Sequence, residues 1–124
     1  MTVSGIVNGE LEARCALLIR GTDGSENEVN TVIDTGFNGF LTLPQSAVAD
    51  LELRFIGEGR VILANGQEEV VNLYAVDVFW NGDWKAIEAE CTESDPLLGM
   101  ALLEGFRLSI DVVRDGGVVI SSLD

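Results

Sequence analysis

Between Val3 and Arg20 the apolar positions form two runs separated by Asn8-Gly9. That dipeptide between such runs is a strong hairpin signal, so the chain is predicted to open with two antiparallel strands. Gly21-Thr22-Asp23-Gly24-Ser25 predicts a second turn, after which Glu28 to Ile33 rises into a buried strand that stops at Asp34-Thr35-Gly36. A short apolar strand, Phe40 to Leu43, follows, and Pro44 suits the first turn of a helix through Asp50 or Leu51. Gly57-Glu58-Gly59 predicts a loosened stretch before a strand from Arg60 to Ala64. Asn65-Gly66 then predicts a tight hairpin returning through Val70, Val71, Leu73 and Tyr74. Val76 to Trp80 and Trp84 to Cys91 alternate around Asn81-Gly82-Asp83 as a further two-stranded unit. Beyond Glu93-Ser94-Asp95-Pro96, Leu97-Leu98-Gly99 reads as a buried strand and Met100 to Glu104 as a short helix closed by Gly105. Leu108 to Val113 and Gly117 to Ser121 read as the last hairpin.

Turns arrive about every dozen residues with no repeat, linker or low-complexity tract, which predicts one domain over residues 1–124, mostly β, as a sandwich or partly closed barrel with one or two short helices. At 124 residues and 47% hydrophobic, such a chain can bury roughly two thirds of the surface its unfolded form exposes, enough for one core.

Composition narrows the chemistry. With no histidine, a Ser-His-Asp or Cys-His nucleophile pair, imidazole-bound zinc and a histidine base are all excluded within the chain, so a hydrolase built on it must move protons with carboxylates. Seven basic against 21 acidic side chains, a formal charge of -14, disfavour nucleic acid as a partner and make self-association costly at neutral pH and low salt. No apolar run approaches the roughly 20 residues needed to span a bilayer, and Met1 to Gly5 has no leader pattern, which predicts a soluble cytoplasmic protein without membrane contact. Cys15 and Cys91 are too few for a disulfide framework and are expected to be buried small hydrophobes. The acidic stretches Asp23 to Glu28 and Glu88 to Asp95 lack calcium-loop spacing and read as solvated surface; Trp80 and Trp84 read as packing on a sheet face. No metal or cofactor is expected.

The one constellation suited to carboxylate chemistry is Val32-Ile33-Asp34-Thr35-Gly36. It sets an acid directly after a buried strand, followed by a hydroxyl and a residue without a side chain, which leaves the carboxylate accessible and frees backbone N–H groups to hold it. Alone, the tripeptide reads first as a strand-ending turn in which the Asp accepts backbone N–H bonds, and the motif needs support from elsewhere in the chain. Some sixty residues on, Leu97-Leu98-Gly99 precedes a short helix and then Leu108-Ser109-Ile110-Asp111-Val112. Together the two motifs resemble the retropepsin-like aspartic peptidases: Val32 to Gly36 is similar to their apolar-apolar-Asp-Thr-Gly signature, and Leu97-Leu98-Gly99 to its apolar-apolar-Gly counterpart. The resemblance covers nearly the whole chain and includes the Asn65-Gly66 hairpin at the position of the family's flap and Ser109 to Val112 after the helix, as in single-domain cellular members.

The resemblance implies a retropepsin-like closed β barrel or sandwich and an aspartic endopeptidase that hydrolyses peptide bonds with water held between two aspartates. Only one Asp-Thr-Gly is present, so Asp34 would be completed by the Asp34 of a second copy, making the active form a two-fold homodimer acting on a peptide or protein substrate. Two such carboxylates cannot both ionise at close range and would share one proton, an effect for which aspartic proteases are themselves the standard example. Thr35 would bond across the dimer axis, and Gly36 would leave room for substrate backbone. Phe37, Asn38 and Gly39 would border the cleft, Ala64, Asn65 and Gly66 would close over substrate, and Leu97, Leu98 and Gly99 would support the site. Three departures stand out: Phe37 follows the motif where many members carry Ala or Ser, the viral interface ion pair has no counterpart at Asn38, Gly39 and Met100, and the hairpin tip is less glycine-rich than viral flaps. The alternatives are a catalytically inactive peptide-binding module of the same fold, or a dimeric scaffold using Val3 to Val7 and Val118 to Ile120 as interface strands.

Overall fold

The computed structural model describes residues 2–124. Ten strands join one sheet: β1 (Thr2–Val7), β2 (Ala13–Arg20), β3 (Glu26–Ile33), β4 (Leu41–Leu43), β5 (Arg54–Ile62), β6 (Glu68–Trp80), β7 (Asp83–Cys91), β8 (Leu97–Leu98), β9 (Phe106–Ile110) and β10 (Gly117–Ser122). Two short helices interrupt them, α1 (Gln45–Asp50) and α2 (Met100–Leu103). The order β5-β6-β7-β4-β8-β3-β2-β1-β10-β9 has an additional pairing of β6 with β2, through Ile19 with Val78 and Arg20 with Asp77. That pairing closes β2, β3, β8, β4, β7 and β6 into a ring, so the predicted partly closed barrel is the architecture. Arg20 reinforces the closure by an ion pair to Asp77 at 3.0 Å while its guanidinium lies 4.1 Å from the centre of the Trp84 ring.

Alternation sets which side chains fill the ring. Along β2, Cys15, Leu17 and Ile19 are buried while Ala16 faces out, and Val76, Val78 and Trp80 do the same on β6. With Leu41, Leu43 and Leu98 they form one continuous core, each large side chain contributing about 1.5–3 kcal/mol by leaving water. Trp80 packs edge-on against Phe106 at 5.4 Å, and Trp84 against Phe79 at 5.4 Å, as sheet-face packing predicts.

Several local expectations needed correction. Asn8-Gly9 does not form a two-residue turn; the connection runs over five residues, 8–12, because the Asn8 side-chain oxygen accepts from the N–H groups of Glu10 and Glu12 and organises a wider loop. The Gly57-Glu58-Gly59 stretch does not interrupt β5: a bulge between Phe55 and Gly57, with Gly57 at φ 144°, absorbs the irregularity and pairing with β6 continues to Ile62. What read as two strands, Val70 to Tyr74 and Val76 to Trp80, is the single strand β6, which bonds β5 along its first part and β7 along its second. The last hairpin starts earlier, at Phe106, and leaves Asp111 to Val113 in a loop. Pro44 caps α1 from outside instead of entering its first turn. Cys15 is buried as expected, whereas Cys91 is only partly so. Asn81-Gly82 is a true two-residue turn with positive φ at both positions, the requirement of the turn that matches strand twist.

Among the described residues, no helix is long and apolar enough to cross a membrane.

Candidate active site

Asp34 emerges where β3 ends. β3 and β8 run parallel, with Val32 beside Leu97 and Ile33 beside Leu98, and the Asp34 N–H continues that ladder by donating to the Leu98 carbonyl at 3.0 Å. The backbone direction of Asp34 is thus set by a strand sixty residues away in sequence. Beyond it the chain turns sharply, the Phe37 N–H donating to the Asp34 carbonyl at 3.1 Å, and the Gly36 N–H donates to Asp34 Oδ1 at 2.8 Å. One carboxylate oxygen is therefore oriented by backbone while the side chain stays half-buried, a compromise that limits desolvation without sealing the acid away. A Cβ at Gly36 would stand 3.2 Å from that oxygen, so the missing side chain keeps the carboxylate open on that side.

The loop after the acid is clamped by the start of α2. Gly99 N–H donates to the Phe40 carbonyl (3.0 Å), Met100 N–H to the Phe37 carbonyl (2.8 Å) and Ala101 N–H to the Gly39 carbonyl (3.1 Å). The approach is close enough that a Cβ at Gly99 would sit 2.2 Å from the Gly39 carbonyl oxygen, which only glycine permits. The same crowding explains Phe37. Its ring lies over Gly39 and Gly99, within 2.7 Å of where a Cβ would stand at either position, so the bulky residue is accommodated by two absent side chains.

Two cavities flank the Asp34 loop. One, of about 600 Å³, lies between Thr35 and Asn38 on one side and Met100, Leu103, Phe106 and Leu108 on the other. The second, about 360 Å³, contains Asp34 itself with Val7, Leu11, Glu12, Val32, Ile110 and Val112. The structure thus brings Asp34, Thr35, Gly36, Phe37, Asn38 and Gly39 together with Leu97, Leu98 and Gly99. The hairpin tip Ala64, Asn65 and Gly66 is exposed and lines neither cavity. The connection is wider than the tight Asn65-Gly66 turn expected from the sequence: it runs over five residues, 63–67, in which Gly66, at φ 84°, donates its N–H to the Leu63 carbonyl and Leu63 donates its N–H to the Gln67 carbonyl.

Residues that sequence reasoning missed surround this centre. Glu12 lines the Asp34 cavity, and its Oε1 accepts from Asn8 Nδ2 and Arg14 Nη2, both at 2.9 Å; these bonds hold its carboxyl below the usual range. Arg14 also reaches Asp95 at 3.0 Å, tying the β2 strand to the segment that leads into β8. Glu90 on β7 sits beneath Gly39, its Oε2 2.6 Å from where a Cβ would stand there, and its carboxyl is pushed up first by burial and then by repulsion from Glu88. No spacing in the sequence announces either glutamate, because both become neighbours of the site only through strand pairing. Among the described residues no group of three or more His, Cys, Asp or Glu side chains could hold a metal ion.

No protein-family model matches the sequence, and no curated protein matches it either. The fold is similar to that of a retropepsin-like aspartic protease from Rickettsia conorii, with a TM-score of 0.58 and 14% identity, over 98% of this chain and 90% of that one. At that identity the likeness is one of fold, and the architecture is retropepsin-like, mostly β with two short helices.

Proposed function

Proceeding from a retropepsin-like fold, we propose that this chain is an aspartic endopeptidase active as a homodimer, in which the Asp34 carboxylates of two copies hold and activate one water against a peptide bond. The observation that carries the reading is the placement of Asp34: half-buried at the end of β3, fixed through its own N–H to Leu98 and through Oδ1 to Gly36, and open to a cavity. A strand-ending turn alone has no need of the second clamp, in which Gly99, Met100 and Ala101 fix the loop carrying Thr35 to Gly39.

The chemistry follows from pairing. Two carboxylates at close range share one proton; the ionised one takes a proton from water as it attacks the carbonyl carbon, and the protonated one donates to the carbonyl oxygen. Neither histidine nor metal enters. Thr35 and Gly36 hold the acids in register, Phe37, Asn38 and Gly39 border the substrate, and the Ala64-Asn65-Gly66 tip closes over it when peptide binds. All ten strands join one sheet, which supports residues 1–124 acting as one peptidase domain.

The sheet also suggests where the second copy docks. β10 is bonded on both sides, by β1 and β9, so Val118 to Ile120 have no free edge for a partner strand; β1 is bonded by β10 and, at Ile6 and Val7, by β2. The open edges of the sheet are β5 and β9, and β9 carries Phe106 and Leu108 of the cavity that contains Thr35. Assembly through β9 keeps the partner next to the Asp34 loop. With a charge of -14 per copy, acid or salt favours this dimer, and activity is highest below neutrality in the cytoplasmic protein we envisage.

The test is cleavage of a diverse peptide library across pH by the protein, by Asp34→Asn, and by the protein with a transition-state inhibitor of aspartic peptidases. Turnover lost in the mutant and blocked by the inhibitor, with the dimer intact by sedimentation, is the expected result. An Asp34→Asn protein that cleaves as fast as the original ends the proposal.

A further inference from the structure

The cavity that contains Asp34 is chemically lopsided. Its walls are aliphatic, from Val7, Leu11, Val32, Ile110 and Val112, and among the described residues its charged side chains are Asp34 and Glu12, with no lysine or arginine in the lining. Glu12 is not a freely solvated surface acid: Asn8 Nδ2 and Arg14 Nη2 both bond its Oε1, and neither bonds Oε2. Arg14 divides its charge between Glu12 and Asp95, so this corner keeps a net negative charge even after the ion pairs are formed. A volume of about 360 Å³ is ample for one long side chain. Leu11 and Val112, both more than half exposed, form an apolar rim for an aliphatic stem.

From these features we infer that the cavity is a substrate subsite that selects a lysine or arginine side chain next to the bond to be cut, with Glu12 as the specificity-determining residue. This deepens the peptidase reading and rests on it. The stem of the basic residue lies along Leu11, Ile110 and Val112, and its cationic head meets the unbonded oxygen of Glu12. An acidic side chain would meet two carboxylates, while the neighbouring cation, Arg14, is already bonded to Glu12 and Asp95, so it is rejected. A neutral aliphatic side chain fits the walls but leaves the Glu12 oxygen covered without a partner.

The test has two arms. In the first, a randomised octapeptide library is digested and the cut bonds are sequenced by mass spectrometry. Lysine and arginine are expected to be enriched about fivefold at one position beside the cut, as for a half-exposed ion pair. The enrichment falls toward one in Glu12→Gln, and Glu12→Lys turns it into depletion. Asp34-dependent cleavage with no basic preference, or with the same preference in Glu12→Gln, overturns the inference and leaves the peptidase reading standing. The second arm needs no turnover: N-acetyl-lysine methylamide and its norleucine analogue are titrated into isotope-labelled full-length protein. Larger methyl shifts at Leu11, Ile110 and Val112 for the lysine compound, abolished in Glu12→Gln, support the subsite even if no cleavage is found. Equal shifts for the two compounds, or shifts elsewhere, overturn it.

Discussion

Replacing Gly99 by alanine tests how the candidate site is built. A Cβ there falls 2.2 Å from the Gly39 carbonyl oxygen, 2.5 Å from Phe37 Cδ2 and 2.8 Å from the Phe37 carbonyl oxygen. Two of these are backbone atoms, so no rotamer change relieves them and the segment Phe37 to Phe40 must move. Movement loosens the bonds from Gly99, Met100 and Ala101 to that segment, at 3.0, 2.8 and 3.1 Å. Overpacking costs about 1–3 kcal/mol and each weakened bond about 0.5–1.5 kcal/mol, not all lost together, so a total of about 2–4 kcal/mol is expected. For a chain of this length the melting temperature falls by about 6–15 °C. Thermal unfolding followed by circular dichroism measures it, with Gly9→Ala as control, since a Cβ at Gly9 meets nothing within 4 Å and its φ is not positive. Peptidase activity should fall further than stability, because Asp34 is anchored to Leu98, one residue before the substitution. A Gly99→Ala protein that melts with the original, while keeping full activity, refutes the clamp.

Other expectations follow from single contacts. Thr31 is fully buried and donates to the Cys15 carbonyl at 2.8 Å, so Thr31→Val should lower stability by about 1–2 kcal/mol in urea titrations; an unchanged midpoint contradicts this. Glu90 has a raised folded value, so the folded state binds its proton more tightly than the unfolded chain; its contribution is most favourable below the ordinary value of 4.5 and is lost as pH rises through the folded value. Glu90→Gln should therefore be the more stable protein at neutral pH, with the gap closing on acidification, and a gap that widens toward acid would falsify the assignment. Glu12 has the opposite sign: its contribution is present above 4.5 and lost as pH falls through its lowered folded value, so Glu12→Gln should melt earlier at neutral pH and match the original in acid. Burial raises both thiols, but only Cys15 is fully enclosed, so a thiol reagent should label Cys91 in the folded protein and reach Cys15 only on unfolding.

Local chemistry was legible in the sequence wherever a short stretch of chain decides the outcome alone. Asn81-Gly82 makes a turn because both residues tolerate positive φ, alternation along β2 tells which side chains enter the core, and Asp34-Thr35-Gly36 marks where a strand gives way to an accessible acid. Two of the misreadings share a cause. A glycine-rich stretch in β5 looks like a break until a partner strand holds it as a bulge, and β6 looks like two strands because the pattern does not record that its halves pair with different neighbours. The parallel pairing of β3 with β8 belongs to the same class, as do the clamp at Gly99, the ring closure between Ile19 and Val78, and the arrival of Glu12 and Glu90 beside the acid. Hydrophobic periodicity states that a strand is half-buried but carries no address for the strand it meets. Only the packed chain supplies that address, and with it the surroundings in which one carboxylate differs from the other twenty acids.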